Sequence, residues 1–226
     1  MSTRILIPTL GKKCLYNCID SIHKYTKKPY TITLLSDGNT WAEAINIGLK
    51  EEKSDVILMD DDIEVRKGWL NNLNEYKKLA DIIGWTLQRP NGTLQCSGCY
   101  FYRTKEKFIF MDNYHDRTRS VRLTPNISTS CAFIKKKVFD KIGIFDNTTY
   151  KNGCHYEDSD FCMRAVKAGF KIMVIPETVI HLETETKKDF KNFKKRVIIN
   201  KHIFYNKLNN DKKYIKILEK NNFIER

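Results

Sequence analysis

Val56-Ile57-Leu58-Met59-Asp60-Asp61-Asp62 joins four apolar residues to three consecutive carboxylates. The apolar half reads as a buried strand, because a short apolar run without helical spacing suits a sheet covered on both faces. The acidic half marks where that strand ends. Three adjacent carboxylates repel one another, and bringing them together is costly unless water or a cation compensates. In extended backbone, residues 60 and 62 project the same way. Two oxygens on one side suit Mg2+ or Mn2+, which keep other positions for water and substrate phosphates.

Outward from this stretch the pattern repeats. Residues 4–8 read as a strand stopped by Pro8-Thr9-Leu10-Gly11, and residues 14–25 as a helix with Leu15, Cys18, Ile19 and Ile22 on one face. Residues 30–35 form a second predicted strand, ending in the turn cluster Ser36-Asp37-Gly38-Asn39. Residues 41–50 and 67–80 are predicted helices. Strand and helix alternate, which argues for a parallel sheet with helices on both faces. Such sheets bind ligands at the carboxyl ends of their strands, and Thr9, Asp37 and Asp60 to Asp62 all fall there.

The second half is less regular. Residues 82–88 and 93–102 are predicted strands around an Asn91-Gly92 turn. Residues 103–122 read as a long basic loop, able to close over a ligand as a lid. A strand at 130–134, a helix at 136–142, a loop at 147–153, a helix at 158–168 capped by Gly169 and a strand at 171–175 follow. Pro176 then precedes Val179-Ile180-His181.

The chain has 226 residues with 41% hydrophobic and 12% aromatic content, enough for a buried core. Its seven cysteines are scattered, odd in number and read as reduced thiols, so a cytoplasmic protein is expected. No apolar run is long enough to span a membrane, and the first residues do not read as a signal peptide. The net charge of +13 suggests a polyanionic partner at first sight. Residues 187–226 hold 13 Lys and Arg against 4 Asp and Glu, so the first 186 residues are nearly balanced. The tail carries Phe190, Phe193, Val197, Ile203, Phe204 and Leu208 at helical spacing, without Pro or Gly. It reads as a helical tail at 186–226 behind a body at 1–185. Either it is a lysine-rich packing element or it meets an anionic membrane at its inner face.

Two further groups carry chemistry. Glu157-Asp158-Ser159-Asp160 opens a helix. Acids and Ser are good helix caps, but a fixed carboxylate beside an exposed loop also suits a general base. His181 ends a strand as a metal ligand would, although an isolated His is more often structural. Cys96-x-x-Cys99 has no second ligand pair, which argues against zinc. No P-loop, GxGxxG or GxSxG occurs.

In order, these segments resemble family-2-like glycosyltransferases of the GT-A fold. The resemblance rests on Ile5-Leu6-Ile7-Pro8-Thr9, Ser36-Asp37-Gly38-Asn39, Asn46-x-Gly48, the Asp60–Asp62 run and Trp69-Leu70. Residues 130–146 with Gly143-Ile144-Phe145-Asp146, Glu157-Asp158 through Arg164 and the late His181 complete it. It covers residues 3–183. It implies an α/β, Rossmann-like fold with a mostly parallel central sheet, plus the C-terminal helical extension. It also implies inverting transfer from a nucleotide-diphospho-sugar, with UDP expected, to an acceptor hydroxyl on a glycan, glycolipid or protein-linked sugar. Asp60, Asp62 and His181 would hold Mn2+ or Mg2+. Pro8, Thr9, Asp37, Asn46, Asp60 and Asp61 would face the nucleotide. Asp158 would be the base, with Glu157 and Asp160 on the acceptor side. Arg164 would be either structural or phosphate-facing. The sequence departs from the family's paired acids at Ser36, which leaves Asp37 as the nucleotide contact.

Two other classes compete. A sugar nucleotidyltransferase shares the acidic metal site but needs a Gly-rich basic loop after its first strand, where this chain has only Thr9-Leu10-Gly11-Lys12-Lys13. A non-enzymatic polyanion- or membrane-binding protein would use the tail, yet the acidic clusters of the body argue against a nucleic-acid partner.

Overall fold

The computed structural model describes residues 3–106, 108–113, 120–150, 155–183 and 192–225. Cys154, Phe190 and parts of the 103–122 and 147–153 segments lie outside the described residues. In chain order the elements are β1 (Thr3–Pro8), α1 (Lys13–Tyr25), β2 (Tyr30–Leu35), α2 (Trp41–Glu51), β3 (Val56–Met59), β4 (Ile63–Glu64) and α3 (Leu73–Leu79). Next come β5 (Ile82–Gln88), β6 (Leu94–Cys96), β7 (Cys99–Arg103), β8 (Ile109–Asn113), β9 (Arg122–Leu123), β10 (Cys131–Ile134) and α4 (Lys136–Ile142). The chain ends with α5 (Glu157–Lys167), β11 (Ile172–His181), α6 (Phe193–Asn210), α7 (Lys212–Lys220) and β12 (Ile224–Glu225).

The main sheet has the order β2-β1-β3-β10-β5-β11-β4. β1 pairs in parallel with β2 and β3, and β11 in parallel with β5. β10 runs antiparallel to both β3 and β5. The sheet is therefore mixed rather than mostly parallel, but β2, β1, β3, β5 and β11 all point one way. Their carboxyl ends and the amino end of β10 share one edge. That places Thr9, Asp60, Arg89, His181 and Ser130 around a common opening.

Alternation along the strands builds two cores. Leu6, Leu58, Ala132 and Val174 face the layer of α2, α4 and α5. Ile5, Ile57, Phe133 and Met173 face α1 and α3. Both faces are covered, which explains why β3 reads as an uninterrupted apolar run.

Several predicted boundaries change. The 67–80 helix is only Leu73–Leu79. The basic 103–122 loop contains β8, which pairs with β7 in a second sheet, and β9. The strand predicted at 93–102 is broken at Ser97-Gly98, so β6 stays on the main sheet while β7 leaves it. The last strand runs on to His181, and its register shift between Ile175 and Thr178 accommodates Pro176.

The tail helices do not stand apart from the body. Phe204, Leu208, Tyr214 and Leu218 are at most 1% exposed and belong to the same core as α5. Lys207 pairs with Asp160, Lys167 pairs with Asp211, and β12 adds a parallel strand to β7. Each of those four apolar burials stabilises by about 1.5–3 kcal/mol. Together they rival the whole net stability of a domain, about 5–15 kcal/mol. A chain ending at Glu185 should lose its cooperative thermal unfolding transition. A transition within about 5 °C of the full chain's would show that the tail is dispensable for folding.

Candidate active site

A cavity of about 570 Å3 opens at the shared strand edge. Its floor begins with the acidic run. The Asp60 backbone N–H donates to the Ser130 carbonyl at 2.8 Å, tying the end of β3 to the start of β10. Trp41 Nε1 donates to Asp60 Oδ1 at 2.6 Å. Burial, then repulsion from Asp62, pushes the Asp60 carboxyl up to about 6, against the opposing pull of His181, Ser130 and Trp41. Asp61 turns the other way, and its Oδ2 accepts from Thr9 Oγ1 at 2.6 Å. Thr9 Oγ1 in turn accepts from the Gly11 N–H at 2.9 Å, so Asp61 anchors the loop after β1.

Asp62 meets His181 because β4 pairs antiparallel with β11, with Ile63 opposite His181. Leu182 N–H donates to the Asp62 carbonyl at 3.1 Å, and His181 Nε2 lies 3.2 Å from Asp62 Oδ1. Burial opposes protonation of His181, but the Asp62 hydrogen bond and the charges of Asp62 and Asp60 outweigh it and raise its pKa. The other ring nitrogen, Nδ1, lies 3.1 Å from Gln95 Oε1, which fixes the ring. One ligand atom each from Asp60, Asp62 and His181 lie within 4.8 Å of one another. Two carboxylates and an imidazole form a donor set for Mn2+ or Mg2+. Burial, then the Asp62 charge, disfavours a bare Asp60 carboxylate, a cost that a divalent ion would offset.

A second acidic centre lines the same cavity. His155 and Tyr156 both take left-handed backbone, with φ of 61° and 74°, immediately before α5. Non-glycine residues seldom adopt this conformation, and pairs of them concentrate at functional sites. The helix starts at Glu157, with no side-chain cap from Tyr156, so Asp158 sits in the first turn and is not the cap. Asp158 Oδ1 accepts from Ser159 N–H at 2.7 Å. Burial raises the Asp158 carboxyl, opposed by His155, Ser159 and the Thr129 backbone. Glu157 is 6% exposed, and burial followed by the Asp158 charge pushes it up to about 8.

This shift has a stability consequence. A carboxyl whose folded pKa exceeds its unfolded value binds more protons in the native state, so stability falls as pH rises between the two. For Glu157 the window runs from about 4.5 to about 8. The melting temperature of the native chain should fall relative to Glu157→Gln across that window, read by thermal unfolding at stepped pH. Parallel curves would refute it.

Pro8, Thr9, Asp60, Asp61, Asp62, Glu157, Asp158 and His181 all line the cavity. Four candidates do not. Asn46 is 4% exposed, and its side chain donates to the Phe145 carbonyl at 2.8 Å and accepts from the Phe145 N–H at 3.0 Å. It clamps α2 to the Gly143–Asp146 segment instead of meeting a nucleotide. Asp160 is 0% exposed and pairs with Arg164 at 2.8 Å and with Lys207, so it fastens α5 to α6. Arg164 also donates to the Ile142 and Ile144 carbonyls at 2.6 and 2.9 Å, which makes it structural. Asp37 is exposed and outside the lining, whereas its neighbours Ser36, Gly38, Asn39 and Thr40 line the cavity. Gly38, at φ 112°, packs so closely on α2 that a Cβ would lie 2.8 Å from the Ala44 nitrogen. That close approach turns the chain into the Thr40 cap, which accepts from Glu43 N–H at 3.1 Å.

Sequence reasoning passed over Trp41, Gln95, Cys96, Cys99, Met111, Asn126, Phe193 and Val197, all of which line the cavity. Trp41 opens a helix directly after a predicted ligand turn, which was a usable signal. The others come from β6 to β8, the loop before β10 and α6, whose place over the site depends on tertiary packing.

The fold is shared with solved glycosyltransferases. The structure of GalNAc-T7 with UDP, GalNAc and Mn2+ superposes with a TM-score of 0.62 at 13% identity, covering 99% of this chain and 55% of that one. Staphylococcus aureus TarS 1-349 superposes with a TM-score of 0.54 at 14% identity, covering 88% of this chain and 65% of that one. Its complex with UDP-GlcNAc gives 0.56 at 13%, covering 87% and 64%. The chain thus spans about half to two thirds of the length of these structures. No curated protein matches it at a significant level. No helix among the described residues is long and apolar enough to cross a membrane. The sequence family described as "Glycosyltransferase like family 2" matches residues 29–198, three quarters of the chain. With this match added to the GT-A architecture and the paired acidic centres, the chain belongs to the glycosyltransferase family 2-like proteins.

Proposed function

We propose that the chain is an inverting, metal-dependent glycosyltransferase. It would move a sugar from a nucleotide-diphospho-sugar, with UDP as the nucleotide, to an acceptor hydroxyl on a glycan or lipid-linked sugar. The observation that carries this reading is a metal-type donor set and a carboxyl pair, Glu157 and Asp158, lining one cavity. The UDP-bound neighbours support the choice of nucleotide.

A divalent ion held by Asp60, Asp62 and His181 would neutralise the diphosphate leaving group as a Lewis acid. Thr9, Pro8 and the Ser36–Thr40 turn form the wall where the nucleotide would lie, with Asp61 holding Thr9 in place. Asp158 would take the proton from the attacking hydroxyl. Its link to the Ser159 N–H fixes the carboxylate, and burial raises its pKa and keeps Asp158 basic. One nucleophile and one base facing a single departing group give inversion. NMR of the product from an α-linked nucleotide sugar should show the β-anomer; an α-linked product would overturn the inverting assignment.

We further infer peripheral membrane contact on a cytoplasmic face. Ile198 and Ile199 are 65% and 39% exposed on α6, among exposed Lys194, Lys195 and Lys201. Apolar side chains ringed by lysines suit an anionic bilayer. The buried free thiols Cys14, Cys18, Cys96, Cys99, Cys131 and Cys162 suit a reducing compartment. The tail helices share the core, so the test uses point changes. Flotation with anionic liposomes should be lost in Ile198→Ser/Ile199→Ser; equal flotation of the variant would remove the membrane reading.

A further inference from the structure

Four cavity-lining side chains form one chain of polar contacts that ends on His181: Arg89, Glu183, Gln95 and His181 itself. The first three supply nothing to the metal-type donor set. Arg89 Nε lies 3.3 Å from Glu183 Oε2, and its guanidinium also donates to the Leu94 carbonyl at 3.0 Å. Gln95 Nε2 donates to Glu183 Oε1 at 2.8 Å. Gln95 Oε1 lies 3.1 Å from His181 Nδ1.

The fold brings these residues together from two places. Arg89 and Gln95 flank the β5–β6 turn, which the Arg89 N–H closes on the Thr93 carbonyl at 2.9 Å. His181 ends β11, which pairs with β5. Two residues on, Glu183 takes left-handed backbone at φ 59°, a conformation that non-glycine residues seldom adopt and that concentrates at functional sites. The Arg89–Glu183 pair is partly exposed, at 39% and 30%. Such a pair adds little to stability. What it fixes is direction.

That direction follows from donors and acceptors alone. A carboxylate accepts, so the Gln95 end facing Glu183 is its NH2 group. The amide oxygen is thereby turned to His181. An amide oxygen also accepts, so Nδ1 carries a hydrogen and donates it. A ring nitrogen that carries hydrogen has no lone pair for a metal. Nε2, 3.2 Å from Asp62 Oδ1, is left to face the donor group. We propose that Gln95, held by Glu183 and Arg89, is a positioning residue that selects Nε2 of His181 as the metal-facing nitrogen. The inference rests on the metal-dependent reading above and adds the three residues that orient one of its ligands.

The test reads Mn2+ binding by the full chain, from the loss of the free-ion EPR signal, with and without UDP, so that no turnover is needed. Gln95→Leu should raise the Mn2+ dissociation constant by about ten- to a hundredfold. Gln95→Glu keeps an oxygen for the Nδ1 hydrogen and should stay within about threefold of the native chain. Arg89→Leu separates orientation from charge. Removing a nearby cation would tighten Mn2+ binding if Arg89 acted through its field alone, whereas loosening Glu183 and Gln95 should weaken it by about threefold or more. Thermal unfolding shows that each variant folds. Native affinity in Gln95→Leu, an equal loss in Gln95→Glu, or tighter binding in Arg89→Leu would overturn the inference. The metal-dependent reading stands in those events, because the native chain still binds the ion. A native chain that binds no Mn2+, with or without UDP, removes that reading and this one with it.

Discussion

Asp62→Ala is expected to lower metal-dependent nucleotide-sugar turnover by about a thousandfold or more, with the fold intact. A cation clamp on a departing diphosphate supplies several kcal/mol of transition-state stabilisation. Asp62 is 7% exposed and lies 3.2 Å from His181 Nε2. Its loss therefore removes one ligand atom and leaves the His181 ring held by Gln95 alone. Its backbone carbonyl still accepts from Leu182 N–H, so β4 should stay docked on β11 and near-UV circular dichroism should not change. The dependence of the residual rate on Mn2+ should shift to higher concentrations. Turnover within tenfold of the native chain would dismiss the Asp60–Asp62–His181 group as the metal site.

Asp158→Asn is expected to cost about 10²–10⁴ in transfer while leaving donor affinity nearly unchanged. The asparagine keeps the size of the side chain and can still accept from the Ser159 N–H, which bonds Asp158 Oδ1 at 2.7 Å. What it loses is a proton acceptor. Removing a negative charge beside Glu157, whose carboxyl the Asp158 charge helps to raise, should also move the pH dependence of stability to lower pH. Unchanged transfer would place the base elsewhere. A matching loss of donor affinity would make Asp158 a binding residue and not a base.

Much of the frame was legible because it is written in local patterns. β1, β2, β3 and β5 end in turn or acidic residues, and those endings share one edge of the sheet. The antiparallel β10 was not legible, since a four-residue apolar strand carries no sign of its direction. β4 and β9 are two residues each, too short for any periodicity, yet β4 is what carries Asp62 to His181. The candidate site divides in the same way. Residues at strand ends, Asp37 excepted, and Glu157 and Asp158 at the start of α5 reach the cavity. Asn46 and Asp160 sit on helix faces that turn into the core, a matter of rotation about the helix axis that short motifs do not encode. The tail's helices were readable from their spacing. Its role was not: net charge drew attention to the lysines, whereas Phe204, Leu208, Tyr214 and Leu218 decide where it packs. With α6 in place, Phe193 and Val197 become walls of the cavity.

The most direct test of metal-assisted sugar transfer is nucleotide release by the EDTA-stripped full chain as Mn2+ is titrated in, with UDP-sugar donors and a mixed sugar acceptor pool. Release should be absent without the ion, rise to saturation with it, and vanish again on chelation. Release indifferent to the ion, or none from any donor at saturating Mn2+, would contradict the account.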